Sequence, residues 1–316
     1  MKTIGHYIFW LKRDFARWIV RNSKLSIFLA KNCLKTFLSL FYFDWTGSTI
    51  NWKEPEDFNQ WLLKTSLKNN RGENKEIIAK CADKFAVRDY VSSMGYSDTL
   101  VELIGVYDNV DDIDFESLPD SFAMKMNNAS GRNLICRDKS TIDWDIVKGT
   151  FRDWLNDKSF GLTSGEWQYS LIEPKIVIEK YLESIDEVSI IDYKFNVING
   201  HVYSCFVGYN RNPEDPHGEV CFDDYDMDWN RTDAIKEGWH KKRKFIPKPK
   251  HYIQMVEMAE RLCQGLAFCR FDVYEVTDKL YFGEMTFTPQ GCILEFYNDW
   301  FLKDALDFAN KTSCHV

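Results

Sequence analysis

The segment CRFDVYEVTDKLYFGEMTFTPQG, Cys269 to Gly291, places Arg270, Asp272, Glu284 and Thr286 in two short strands joined by a tight turn. Successive side chains of a strand point to opposite faces, so Arg270 and Asp272 share one face of the first strand, as Glu284 and Thr286 share one face of the second. These faces coincide if Asp272 sits opposite Glu284 and Arg270 opposite Thr286. Continued without a break, that register sets Val276 opposite Leu280 and predicts a three-residue loop, Thr277-Asp278-Lys279. Two facing carboxylates repel each other unless a cation lies between them. Mg²⁺, held by one or two carboxylates plus substrate phosphates, fits that requirement, and Arg270 beside it could hold an anionic reacting group. A plain ion network, with Arg270 bridging Asp272 and Glu284, fits the same spacing. Spacing alone leaves both open.

A second place where chemistry could occur is Lys125, on a strand followed by the small-residue loop NNASG, Asn127 to Gly131. Such a loop lets backbone N–H groups approach phosphates while the lysine supplies charge; an ordinary hairpin turn would read the same way. The G-x-x-x-x-G-K-[ST] spacing of a Walker A loop is absent, as are a G-x-S-x-G elbow and an HExxH helix. The six histidines stand singly and are taken as non-catalytic.

These residues need elements to position them. After Gly47 a turn leads into a short amphipathic helix, and residues 76–95 have apolar positions at helical spacing and end at Gly95. TLVELIGVYDN reads as a strand, and the acidic run that follows, with Pro119, as a linker. Two strands then flank the 127–131 loop, the second from Asn133 to Cys136, and a helix runs from Trp144 to Leu155. PKIVIEKYLES is another strand, and IIDYKFNVINGHVYSCFVGYN is a hairpin turning at Asn199-Gly200. A helix over 251–264 precedes the charged hairpin. Helices interleaved with antiparallel hairpins make the class α+β.

The chain has 316 residues and a net charge of −8, unevenly spread. Residues 1–43 carry eight basic side chains and one acid, which leaves the arm at +7 and the body at −15. A body so acidic repels phosphate backbones, and nucleic acid is excluded as its partner. Nine scattered cysteines without a CxxC pair indicate free thiols in a reducing, cytoplasmic setting, where the three N-x-S/T sequons carry no meaning. LSIFLAKNCLKTFLSLFYF, Leu25 to Phe43, is nearly apolar, but Lys31, Asn32 and Lys35 at its centre make a membrane span expensive, and no cleavage site marks a secretory signal. What remains is a basic amphipathic helix or helix pair. Two placements compete for it: peripheral contact with an anionic membrane surface, at its inner face, or packing on the body.

Taken in order, ADKFAVRDYV, LPDSFAMKMNNASGRN, GEWQYSLIEPKIVIEKYL, DYKFNVINGHV and RFDVYEVTDKLYFGEMTFTPQG resemble the TupA-like ATP-grasp family, found with bacterial surface-polysaccharide proteins. The similarity spans roughly Ile50 to Trp300. It implies an ATP-grasp fold, two α+β lobes clasping ATP, divided as a helical arm over 1–45, an N-terminal subdomain over 46–118, a small lobe over 119–185 and a large lobe with the metal site over 186–316. It also implies roles. Arg88 and Lys125 would contact the nucleotide phosphates, with Asn127, Ser130 and Gly131 in the loop closing over them. Glu179, Lys180, Tyr181 and Leu182 would form the hinge strand that recognises adenine, largely through its backbone. Asp192 and Lys194 would face the γ-phosphate and acceptor. Asp272 and Glu284 would bind Mg²⁺, with Thr286 as a hydroxyl ligand where relatives have Asn, and Arg270 would stabilise charge at the acyl centre.

The implied activity is an ATP- and Mg²⁺-dependent carboxylate–amine ligase that works through an acyl phosphate. Its substrates would be a small-molecule amine, an amino acid or amino sugar, and the uronic-acid carboxylate of a surface glycan or its precursor. The basic run HKKRKFIPKPK, His240 to Lys250, could receive such an anionic glycan, though a solvated loop reads the same. Other activities compatible with this setting are a sugar kinase, a glycosyltransferase, for which no D-x-D at a strand end is found, and a catalytically inactive binding protein. Three positions depart from the family's pattern. Asn128 and Ala129 stand where relatives have His and Gly, Thr286 where they have Asn, and Gln290 lengthens a TPG turn to TPQG.

Overall fold

The alternation read from the charged hairpin is built into a five-stranded antiparallel sheet. The computed structural model describes residues 2–183, 190–209, 220–239 and 244–313. Residues 240–243, which open the basic run, lie outside the described residues. The larger sheet has the order β7-β6-β5-β8-β9, from β5 (Asp192–Ile198), β6 (His201–Tyr209), β7 (Cys221–Tyr225), β8 (Phe268–Val276) and β9 (Lys279–Thr286). β5 and β6 turn at Asn199-Gly200 as expected, both residues at positive φ, the geometry in which a two-residue turn matches strand twist.

In β8 and β9 the expected pairing holds where it matters: Arg270 lies opposite Thr286 and Asp272 opposite Glu284. The turn differs. Val276 pairs with Lys279, leaving a two-residue turn, Thr277-Asp278, with both residues at positive φ. A bulge between Asp272 and Val273 absorbs the difference, so that Val273 faces Phe282 and Gly283 is the extra residue. A Cβ on Gly283 would stand 2.8 Å from the Asp272 carbonyl oxygen. The bulge therefore needs glycine, and the carboxylate pairing needs the bulge.

The smaller sheet has the order β1-β4-β2-β3, from β1 (Leu103–Tyr107), β2 (Phe122–Met126), β3 (Asn133–Cys136) and β4 (Ile176–Lys180). One face is covered by α7 (Trp144–Asn156), and Phe122, Met124, Phe151, Ile176 and Ile178 form a core of their own. The large sheet shares a second core with α4 (Phe58–Arg71), α5 (Lys75–Ala82), α6 (Val87–Ser93), α8 (Tyr252–Leu262) and α9 (Asp299–Thr312). Two cores and two sheets give two α+β lobes. The single helix expected over 76–95 is divided into α5 and α6. The Asp83 carboxylate accepts from the N–H groups of Phe85 and Ala86 at 2.8 and 3.2 Å, restarting the chain as an N-cap would.

The arm forms three helices, α1 (Lys2–Arg21), α2 (Ser23–Asn32) and α3 (Leu34–Thr46). Packing on the body is what the structure shows for α3, whose Leu34, Phe37, Leu38, Phe41 and Tyr42 enter the large core. Its apolar stripe is thus an internal one, despite the lysines nearby. α1 lies on α3 through Ala16 and Ile19, and Arg13 donates to the Asp44 and Trp45 carbonyls at 3.0 and 3.1 Å. Those carbonyls close α3, where a cation is favoured.

Gly283→Ala is expected to lower stability by about 1–3 kcal/mol, the range for overpacking against an unyielding neighbour, read as a fall in the urea midpoint.

Candidate functional site

Between the lobes lies a cleft of about 760 Å³, within the range of small-ligand sites. Its floor is the face of the large sheet carrying Lys194, Arg270, Asp272, Glu284 and Thr286, and its roof comes from β2, β3 and β4. Of the fifteen residues singled out from sequence, fourteen line it: Arg88, Lys125, Ser130, Gly131, Glu179, Lys180, Tyr181, Leu182, Asp192, Lys194, Arg270, Asp272, Glu284 and Thr286. Asn127 does not. Its buried amide donates to the Asp83 carboxylate and the Glu173 carbonyl at 3.0 and 3.1 Å and accepts from the Lys175 N–H at 2.7 Å. Every polar atom of that side chain is occupied in fixing the loop's base, so the expectation that it contacts phosphate is corrected.

At the floor the carboxylates meet cations. The Arg270 guanidinium donates to Asp272 at 3.0 and 3.3 Å, to Glu284 at 3.1 Å and to the Thr286 hydroxyl at 3.2 Å. Lys194 pairs with Asp272 and reaches the Asp192 carboxylate at 3.6 Å. Lys84 stands 3.5 Å from Glu284 and donates to the Ala129 carbonyl at 2.6 Å, joining the small-lobe loop to β9. Thus the ion network is what these coordinates contain, and the geometry that would serve a metal is the same geometry. Burial would raise the Glu284 carboxyl, but Lys84, Arg270 and Lys194 outweigh it and hold the group well below the usual carboxylate range. For Asp272, buried deeper, desolvation outweighs the pull of Arg270 and Lys194 and the carboxyl is raised. Across one strand pair, environment drives two carboxylates apart.

The roof carries a second charge cluster. Glu179 accepts from Arg88 and from Lys125, both at 2.9 Å. The hinge strand was expected to act through its backbone; here its first side chain neutralises the two cations assigned to phosphate. Lys180 turns its exposed side chain towards Glu102 at 3.6 Å. Ala129, where relatives have Gly, is buried in the small-lobe core and stays out of the left-handed region; Gly131 alone in that loop has positive φ.

Several site residues escaped the sequence reading. Lys84 comes from the turn between α5 and α6, and its one signal was standing in the ADKFAVR motif. Glu166 lines the cleft near Arg270, accepts from the Ser164 hydroxyl at 2.7 Å, and is raised by burial. In the lengthened TPQG turn, Gln290, Gly291 and Cys292 are all left-handed, and a Cβ on Gly291 would lie 2.2 Å from the Ser164 carbonyl oxygen. Toward β7 the cleft wall is aromatic. Phe206 stacks on Phe222 at 5.1 Å and meets Phe296 at 5.0 Å, and Trp239 meets Phe296 edge-on at 6.1 Å. Behind it, Asn196 donates to the Ser204 and Tyr297 hydroxyls at 3.1 and 3.0 Å, and both hydroxyls donate to Asp224, at 3.1 and 3.2 Å.

Among the described residues no group of three or more His, Cys, Asp or Glu gathers as a metal cage. Mg²⁺ does not need one: it keeps several waters and takes one or two carboxylates plus substrate phosphates. Asp272, Glu284 and the Thr286 hydroxyl are a hard, all-oxygen set of that size, and they fit the ion in donor chemistry.

A sequence model described as TupA-like ATPgrasp matches residues 60–304. No curated protein sequence matches the chain. Solved structures that resemble it include a D-alanine–D-alanine ligase from Bacillus anthracis, at TM-score 0.45 and 16% identity over 75% of this chain and 69% of that one. The ATP-grasp ligase PsnB, complexed with a phosphomimetic variant of its minimal precursor, Mg and ADP, aligns at TM-score 0.43 and 10% identity over 90% and 72%. A phosphoribosylamine–glycine ligase from Thermotoga maritima aligns at 0.39 and 12% over 70% and 52%.

Burial pushes the Asp224 carboxyl from its ordinary 3.8 up to about 8. The folded chain therefore holds a proton that the unfolded chain has released. The stability tied to that proton is fully present below about pH 4 and is lost as pH rises through about 8. The neutral isostere Asp224→Asn is expected to flatten this part of the profile, measured as the difference in thermal midpoint between the two proteins across that range.

Proposed function

The chain belongs to the TupA-like ATP-grasp family, and from that premise we propose that it is an ATP- and Mg²⁺-dependent carboxylate–amine ligase. The reaction joins an amino acid or amino sugar to a uronic-acid carboxylate of a surface polysaccharide or its precursor, by way of an acyl phosphate. One observation carries this reading: Asp272 and Glu284 face each other on adjacent strands with Arg270, Lys194 and Lys84 around them, in the cleft between two lobes.

In this reading Asp272, Glu284 and Thr286 hold Mg²⁺. The ion, when bound, neutralises phosphate charge and orients the terminal phosphate. An incoming polyphosphate competes for the cations that now neutralise Asp272 and Glu284, leaving carboxylate oxygens for the divalent ion. Arg88, Lys125 and the N–H groups near Ser130 and Gly131 hold the phosphates from the roof. Lys180, Tyr181 and Leu182 line the adenine end. Lys194, positioned by Asp192, faces the transferred phosphoryl group, and Arg270 stabilises charge on the acyl oxygens. The substrate carboxylate attacks the γ-phosphorus and ADP leaves. The amine then attacks the acyl carbon, phosphate leaves, and the amine's proton passes to solvent. At the other end, the wall of Phe206, Phe222, Phe296 and Trp239 offers flat apolar faces beside a hydrogen-bonding pair, Asn196 and Tyr297, which suits the C–H face and hydroxyl rim of a sugar ring. The surface-polysaccharide assignment rests on family association.

With Mg-ATP, a uronic acid and a panel of amines, ADP release is expected only when both carboxylate and amine are present. Glu284→Ala is expected to lower the rate by about 10²–10³-fold, the cost of removing one preorganised electrostatic partner. ADP formed at full rate without amine would overturn the ligase in favour of a kinase.

A further inference from the structure

α1 has two apolar stripes, and only one of them meets the protein. Ala16 and Ile19 are buried on the inner side. On the outer side Leu11, Phe15 and Trp18 recur at i, i+4 and i+7, the spacing of a single helical stripe, and remain 52, 61 and 57% exposed. The Phe15 and Trp18 rings stack on each other at 6.1 Å. On α2, Phe28 is likewise 58% exposed. Around these side chains Lys12, Arg21, Lys24, Lys31 and Lys35 are exposed. Asp14, the one acid of residues 1–43, is 3.6 Å from Arg17.

We propose that the outer face of α1 and α2 is a docking surface for an anionic lipid bilayer, with the helices lying in the plane of the headgroups. The chemistry is that of an interfacial helix: aromatic side chains at the boundary between water and acyl chain, and lysines and arginines beside them at the level of the phosphates. No helix among the described residues is long and apolar enough to cross a membrane, so contact is with the surface. Charge selects both the orientation and the occupant. The body at −15 is repelled by an anionic surface while the arm at +7 is drawn to it, which directs α1 and α2 to the bilayer. A second copy of the same +7 arm would meet like charge. The arrangement is anchored at its root, because α3 is part of the large core and Arg17 is held to Asp44 at 3.0 Å.

The docking is independent of the ligase reading and is tested by binding, without turnover. The full chain is floated with vesicles of phosphatidylcholine alone and with vesicles containing phosphatidylglycerol. Flotation is expected with the anionic vesicles, weakened by salt, and lost in the double variant Phe15→Glu, Trp18→Glu. Each of Lys12→Gln and Lys24→Gln is expected to weaken partitioning about fivefold, the equivalent of roughly 1 kcal/mol per basic residue at such a surface. Thermal unfolding of each variant, set beside the parent, establishes that the body is intact. Absence of flotation with anionic vesicles, or equal flotation of the folded double variant, overturns the proposal. So does a concentration-dependent dimer that the double variant abolishes, which would give the face to a second copy.

Discussion

Two carboxylates held opposite each other on neighbouring strands are unstable unless something positive lies between them, and Asp272 and Glu284 are held so. Arg270 satisfies both from the same face, with Lys194 on one side and Lys84 on the other. Much of the large lobe follows from keeping this arrangement. Lys194 is on the adjacent strand because β5 pairs with β8 at Lys194 opposite Asp272. Lys84 reaches Glu284 because α5 ends two residues earlier, at Ala82, and the Asp83 cap turns the chain there. A buried pair broken by losing one partner costs far more than the pair contributes intact, so these positions constrain one another.

Backbone of unusual conformation gathers around the same face. Gly283 is the bulge residue beside Asp272. Gln290, Gly291 and Cys292 take left-handed conformations in succession, which costs a non-glycine residue about 1–2 kcal/mol. The turn is held by packing from elements distant in sequence. A Cβ on Gly291 would come within 2.9 Å of the Phe41 ring, and the Thr288 hydroxyl and Gln168 amide bond to each other in the interior. Since Phe41 is on α3, the third helix of the arm is a support for the cleft as well as a link to α1 and α2.

Strand alternation was enough to bring Arg270, Asp272, Glu284 and Thr286 to one face, because a period of two is a local property of the chain. The same logic misplaced the turn by one residue. The bulge at Gly283 is dictated by the Asp272 carbonyl across the hairpin, and sequence shows a glycine without showing what approaches it. Asn-Gly at 199–200 was legible because its conformational demand is local. Lys84 and Glu166 were not, since each reaches the cleft from a turn far from β9 in sequence. Asn127 was misread for a related reason: an amide in a small-residue loop suits a phosphate, and only the fold reveals Asp83, Glu173 and Lys175 around it. The stretch from Leu34 to Tyr42 has an apolar stripe and a lysine, and composition does not say whether such a stripe meets lipid or protein.

The charge pattern also bears on how two lobes can share one cleft. The roof contributes Arg88 and Lys125, and the floor contributes Lys84, Lys194 and Arg270. Five cations converging on one space from two separately cored lobes would push the lobes apart, since unlike surface charges they face a cavity whose walls limit screening. Glu179 on the roof, with Asp272 and Glu284 on the floor, keeps each wall close to neutral on its own. Lys84 then ties the walls together, bonded to the Ala129 carbonyl above and facing Glu284 below. Carboxylates that hold a divalent ion in the proposed reaction thus have a prior task in the empty cleft: they let a polyphosphate-binding set of cations exist in folded, closely apposed lobes before the polyphosphate arrives.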